Sequence, residues 1–121
     1  MAQTPDAPQY DLEERTYQFA KQVRAFVKQL PRTICNQQDV KQLVRASGSV
    51  GANYIEANAA LSKKDFRKHV KISRKESKES RYWLRLLDIG NDTRLHAERE
   101  RLIQESTELT RILSAILRKS E

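Results

Sequence analysis

Three glutamates, Glu56, Glu76 and Glu79, come nearest in type and spacing to metal chemistry. Carboxylates on facing helices can hold a pair of metal ions when a Glu-x-x-His repeat from each of two helices completes the set. In this chain the repeat is Glu76-Ser-Lys-Glu79, present once, and the two histidines, His69 and His96, stand in no metal or triad spacing. The expectation is structural ion pairs, with no catalytic residue, no metal and no cofactor. Gly48-Ser-Val-Gly51 lacks the spacing and the following lysine of a phosphate-binding loop. Cys35, the one cysteine, has no histidine near it in sequence and reads as a bystander.

A second set of residues points to a different chemistry. Lys63, Lys64, Arg67, Lys68, Lys71, Arg74, Lys75, Lys78, Arg81 and Arg85 fall in one sector when residues 63–87 are projected at 100° each. The chain carries +7 overall, and residues 61–87, with ten basic and three acidic side chains, hold the whole excess. Like charges three or four apart on a helix repel by roughly 0.2–0.5 kcal/mol per pair, so the stripe costs stability unless a polyanion neutralises it. Phosphate-backbone binding is the functional expectation, and a solvated helix face is the plain alternative. Few side chains in the stripe suit base edges, and Tyr82 is the only aromatic near it, so neither sequence readout nor base stacking is expected.

These residues need helices to position them. With 121 residues, three glycines and three prolines, the chain has the size of one domain with little internal punctuation, which favours long helices. Residues 1–10 are expected to be a flexible arm and residues 11–121 the folded domain. Leu12, Phe19, Val23, Phe26 and Leu30 share one face of a first helix that ends at Pro31. Asp39 is the expected N-cap of a second helix, whose inner face would be Val40, Leu43, Val44, Ser47, Gly51, Tyr54, Ile55, Asn58 and Leu61. Ser62-Lys-Lys-Asp65 resembles a capping box and opens a third helix running to about Leu87, with Phe66, Val70, Ser73, Ser77, Ser80, Leu84 and Leu87 inward. Gly90-Asn-Asp-Thr93 makes a turn and cap before a fourth helix built on Leu95, Leu102, Leu109, Ile112, Leu113, Ile116 and Leu117. Short links between long helices predict an all-α, antiparallel up-down-up-down four-helix bundle.

Two helix faces suggest a partner subunit. Ile72, Glu76, Glu79 and Trp83 form a mixed apolar and acidic sector of helix three that a lone bundle would leave in water. On helix two Ser49, Ala52, Asn53 and Glu56 make an outer face far poorer in charge than solvent would favour. Both faces are expected to pack against another copy of the chain, with Asn53 and Glu56 bonding across the contact. Ser47 and Gly51 would meet the serine-lined face of helix three. No apolar run approaches the ~20 residues needed to cross a bilayer, and MAQTPDAPQY lacks the parts of a signal peptide. A cytoplasmic protein with no membrane contact is expected.

The run Arg45 to Leu87, RASGSVGANYIEANAALSKKDFRKHVKISRKESKESRYWLRLL, resembles the bacterial four-helix bundle proteins encoded by intervening sequences of 23S ribosomal RNA genes. Ser49-Val-Gly-Ala-Asn53, Glu56, Lys63-Lys-Asp-Phe66, Glu76-x-x-Glu79 and Tyr82-Trp-Leu84 carry the resemblance. A related branch is the accessory protein of diversity-generating retroelements. That likeness implies a basic, ring-like homo-oligomer, a pentamer, that binds RNA or an RNA–DNA hybrid and works with a reverse transcriptase. The competing expectation is an assembly adaptor whose basic face docks an acidic protein.

Overall fold

The computed structural model describes residues 8–121, with side chains from Leu12 onward. Four helices follow one another: α1 (Pro8–Val27), α2 (Ile34–Asn58), α3 (Lys63–Leu86) and α4 (Thr93–Lys119). Among the described residues there is no strand, and no helix is long and apolar enough to cross a membrane. Helix α1 opens with Pro8, whose missing N–H costs nothing at a first helical position, so it takes in residues 8–10 that were expected in the arm. The remainder of the expected arm lies outside the described residues.

The helix starts are fixed by side-chain oxygens. Thr33 Oγ1 accepts from the Asn36 N–H at 3.0 Å and starts α2 well before Asp39, where the sequence placed the cap. The buried Asn36 explains the earlier start. Its amide donates to the carbonyls of Pro31 (2.9 Å) and Asp88 (2.8 Å) and accepts from the Asp88 N–H (2.9 Å), so it ties the first turn of α2 to the end of α3. Ser62 Oγ accepts from the Asp65 N–H at 3.0 Å, as its spacing suggested, and Asp92 caps α4 through the N–H groups of Arg94 and Leu95. Gly90, at φ +65°, makes the turn that precedes this cap.

Around one shared core, α2 touches α1 and α3, and α4 touches α3 and α1. Leu12, Phe19, Val23 and Phe26 of α1 and Leu95, Leu102, Leu109, Leu113 and Leu117 of α4 are buried in it, as their spacing predicts. On α2 the buried arc is wider and turned: Ala46, Val50 and Ala57 are inside, whereas Ile55 is half-exposed and Leu61, in the link, is fully exposed. A helix held between two neighbours must bury two adjacent stripes, and small residues fill the tighter one. Gly51 meets α1 rather than α3. A Cβ there would lie 2.8 Å from Thr16 Oγ1, so only glycine allows the two helices to approach this closely.

The serines of α3 act mainly between helices. Ser73 donates to the Val50 carbonyl of α2 (2.7 Å) and Ser77 to the Ser106 carbonyl of α4 (2.9 Å), while only Ser80 bonds back four residues, to Glu76 (2.9 Å). Contacts between α2 and α3 run from Arg45–Glu79 through Val50–Ser73 to Asn53–His69, and those between α3 and α4 from Arg67–Leu117 to Ser77–Ser106. In both pairs, numbering rises on one helix as it falls on the other.

Candidate functional site

The sector of α3 that faces neither α2 nor the core carries the basic stripe. Lys63, Lys64, Lys68, Lys71, Lys75, Lys78, Arg81 and Arg85 are exposed, while Arg67 and Arg74 are half-buried. Arg67 bends toward the end of α4, where it donates to the Leu117 carbonyl (2.7 Å) and to Ser120 Oγ (2.6 Å). A cation there satisfies a terminal carbonyl and meets the negative end of the helix dipole. Arg74 reaches Ser114 Oγ at 3.4 Å. These two arginines therefore join α3 to α4, and the other eight project freely.

Among the described residues, no ion pair within 4.0 Å neutralises any of the ten. Lys71 shows the consequence: its four helical neighbours three or four positions away, Arg67, Lys68, Arg74 and Lys75, are all cations. The two glutamates of α3 lie toward α2 instead. Glu76 is buried at 6% exposure, with Oε2 3.7 Å from Arg45 and Oε1 without a hydrogen-bond partner. Glu79 lies 3.6 Å from the same guanidinium, and Asp65 lies 3.9 Å from His69.

Two clefts border the stripe. One, of about 1100 Å³, lies at the α2–α3 turn between Glu56, Leu61, Asp65 and the lysines at 63, 64, 68 and 71. The other, of about 580 Å³, lies between α3 and α4, where Lys78, Arg81, Tyr82 and Arg85 face Arg111 and Arg118. The two α4 arginines were not anticipated, because periodicity on one helix says nothing about which residues of another stand opposite. Their seven-residue spacing, the same as that of Lys78 and Arg85, is the signal that could have found them.

Several residues expected at a subunit contact are occupied within the chain. Asn53 donates to the Ser49 carbonyl (3.0 Å) and to Ser49 Oγ (2.9 Å), and its Oδ1 lies 3.2 Å from His69 Nδ1, so its bonding capacity is used internally. Glu76 is covered by the chain's own α2 and needs no second subunit to leave water. Ile72 and Trp83 are half-buried, and Trp83 packs on the core with its ring edge-on to Tyr82 (5.1 Å, 78°). Ala52 and Glu56 remain exposed. Glu76 and Glu79 converge on Arg45 rather than on Glu56, and no three His, Cys, Asp or Glu side chains come together among the described residues.

Two groups elsewhere titrate away from their usual ranges. The Arg15 guanidinium is raised by its paired hydrogen bonds to Glu105 (2.7 and 2.9 Å), against the opposing effect of burial. Burial raises the Tyr54 phenol, with a hydrogen bond to Asn58 opposing it.

Residues 9–115 match the family described as 23S rRNA-intervening sequence protein. A solved structure from Bacteroides thetaiotaomicron, a protein with unknown function from the S23 ribosomal protein family, is similar at a TM-score of 0.74 and 28% sequence identity. The likeness covers 91% of this chain and 97% of that one. No curated protein matches.

Proposed function

The chain belongs to the 23S rRNA-intervening sequence protein family, and we propose that it is a non-enzymatic nucleic-acid-binding module, cytoplasmic and homo-oligomeric, acting through the outer face of α3. The observation that carries this reading is the row of eight projecting cations with no intramolecular counter-ion. Phosphates would relieve their mutual repulsion and release condensed counter-ions on binding. Contacts of this kind favour the phosphate backbone of RNA or an RNA–DNA hybrid over any base sequence. The opposed numbering of helix contacts supports an antiparallel up-down-up-down bundle as the scaffold. The half-exposed Ile55, with exposed Ala52 one turn before it on α2, supports self-association through this helix, as the pentamer that the resemblance to retroelement accessory proteins implies. A ring would multiply weak contacts per subunit into firm binding.

The test is a gel shift with structured RNA for the wild-type chain and for the triple variant Lys71→Glu, Lys75→Glu, Lys78→Glu. Arg74 is left out of the set because it leans on Ser114. Wild type should shift the RNA and the variant should not. A wild-type chain that leaves RNA unshifted at low salt, yet retains an acidic protein partner after nuclease treatment, would make the basic face a protein-docking surface instead.

A further inference from the structure

The sequence gives Tyr82 no evident role, but the fold puts it in a particular place. Its ring is half-exposed and lies edge-on against the half-buried Trp83. An edge-to-face contact of this kind restrains an aromatic ring and leaves part of its surface in water. Tyr82 lines the 580 Å³ cleft between α3 and α4, and also a smaller one of about 350 Å³ reaching along α3 to Lys71 and Lys75. In the larger cleft it is surrounded by Lys78, Arg81 and Arg85 from α3 and by Arg111 and Arg118 from α4, and no acidic residue is among those lining it. Arg111 is held by Glu108 at 2.6 Å. Lys78 to Arg85 and Arg111 to Arg118 each rise about 10 Å along their helices, so two cationic rows flank the ring.

Size separates the ligands this arrangement can take. A cleft of this volume falls within the range of small-molecule pockets and admits a nucleotide or two. A duplex keeps its bases stacked inside and can reach only the cationic rim. A single strand can turn a base inward, and every base has a face to stack on an aromatic ring.

We propose that the α3–α4 cleft seats an unstacked base of a single-stranded polynucleotide on Tyr82, with the flanking lysine and arginines on its phosphates. This rests on the nucleic-acid reading above and adds to it a preference for single strands. It also assigns to α4 a share of the binding surface.

The experiment measures anisotropy of a short labelled oligothymidylate, the same backbone with abasic sites, and a duplex of equal length, each with the full chain. Tyr82→Ala should weaken the single strand about tenfold and leave the duplex unchanged, while Tyr82→Phe keeps wild-type affinity. The abasic strand should bind wild type as weakly as the intact strand binds Tyr82→Ala. Arg118→Gln, which leaves the ring in place and removes one cation of the rim, should weaken single strand and duplex alike by severalfold. Equal losses of single strand and duplex for Tyr82→Ala, or no loss of the single strand in either variant, would overturn the cleft proposal while the nucleic-acid reading stands. If wild type binds neither strand form at low salt and Lys71→Glu, Lys75→Glu, Lys78→Glu changes nothing, both fall together.

Discussion

Helices α3 and α4 are packed neighbours of 24 and 27 residues, both with heavily charged outer surfaces, and they arrange those charges in opposite ways. On α4 the signs alternate at helical spacing: Arg101 pairs with Glu98 and Arg111 with Glu108, while Glu105 receives a two-pronged bond from Arg15 of α1. On α3 the signs are segregated. Its acids turn toward Arg45 and His69, and its cations line the other side without counter-ions. The paired charges on α4 therefore serve the fold, whereas the cations on α3 oppose it slightly and have no counter-ion within the described residues.

The largest expected effect breaks this contrast directly. Reversing Lys71, Lys75 and Lys78 to Glu should weaken RNA binding on the order of a hundredfold at roughly 0.1 M salt, with helicity by circular dichroism retained. If binding survives, the segregated charge has no bearing on nucleic acid. Next in size, Arg67→Ala should lower stability by about 1 kcal/mol, or roughly 3–5 °C in Tm, through loss of its bonds at the α4 C-terminus. Its effect on RNA affinity should be small, which would separate the structural arginine from the binding lysines.

Smaller still is a pair of opposite signs. Lys71→Gln removes a cation flanked by four others and should raise stability by about 0.5 kcal/mol in urea unfolding. Glu108→Gln breaks a pair on α4 and should lower it by about 0.3–0.5 kcal/mol. The same sign for both would mean that the two surfaces do not differ. The smallest effect lies in the core beneath them, at Tyr54. Its phenol titrates above the ordinary 10.0 when folded, so its stabilisation is complete below that pH and is lost as pH rises through the folded value. Tyr54→Phe should therefore show a shallower alkaline decline in Tm than wild type.

The parts of the molecule legible in sequence are those set by one helix at a time. The leucine spacing of α4, the aromatic spacing of α1, the Ser62 cap and the segregation of α3 into sectors all follow from a 100° period and local hydrogen bonding. What was not legible depends on a second element. Asp39 looked the better cap than Thr33 because the early start of α2 is reinforced by Asn36 reaching Asp88, more than fifty residues away. Gly51 appeared to face α3 until Thr16 of α1 supplied the close contact. Glu76 seemed to need another subunit because nothing in its own helix pointed to Arg45. Half of the α3–α4 cleft was invisible for the same reason, since Arg111 and Arg118 acquire meaning only opposite Arg81 and Arg85.

The central claim, that the unpaired cations of α3 engage phosphates, is tested most directly by the salt dependence of RNA affinity. Log Kd should rise linearly and steeply with log salt concentration for wild type, and the Lys71, Lys75 and Lys78 reversal should make that slope shallower by about three. A slope near zero, or one that the three reversals leave unchanged, would contradict it.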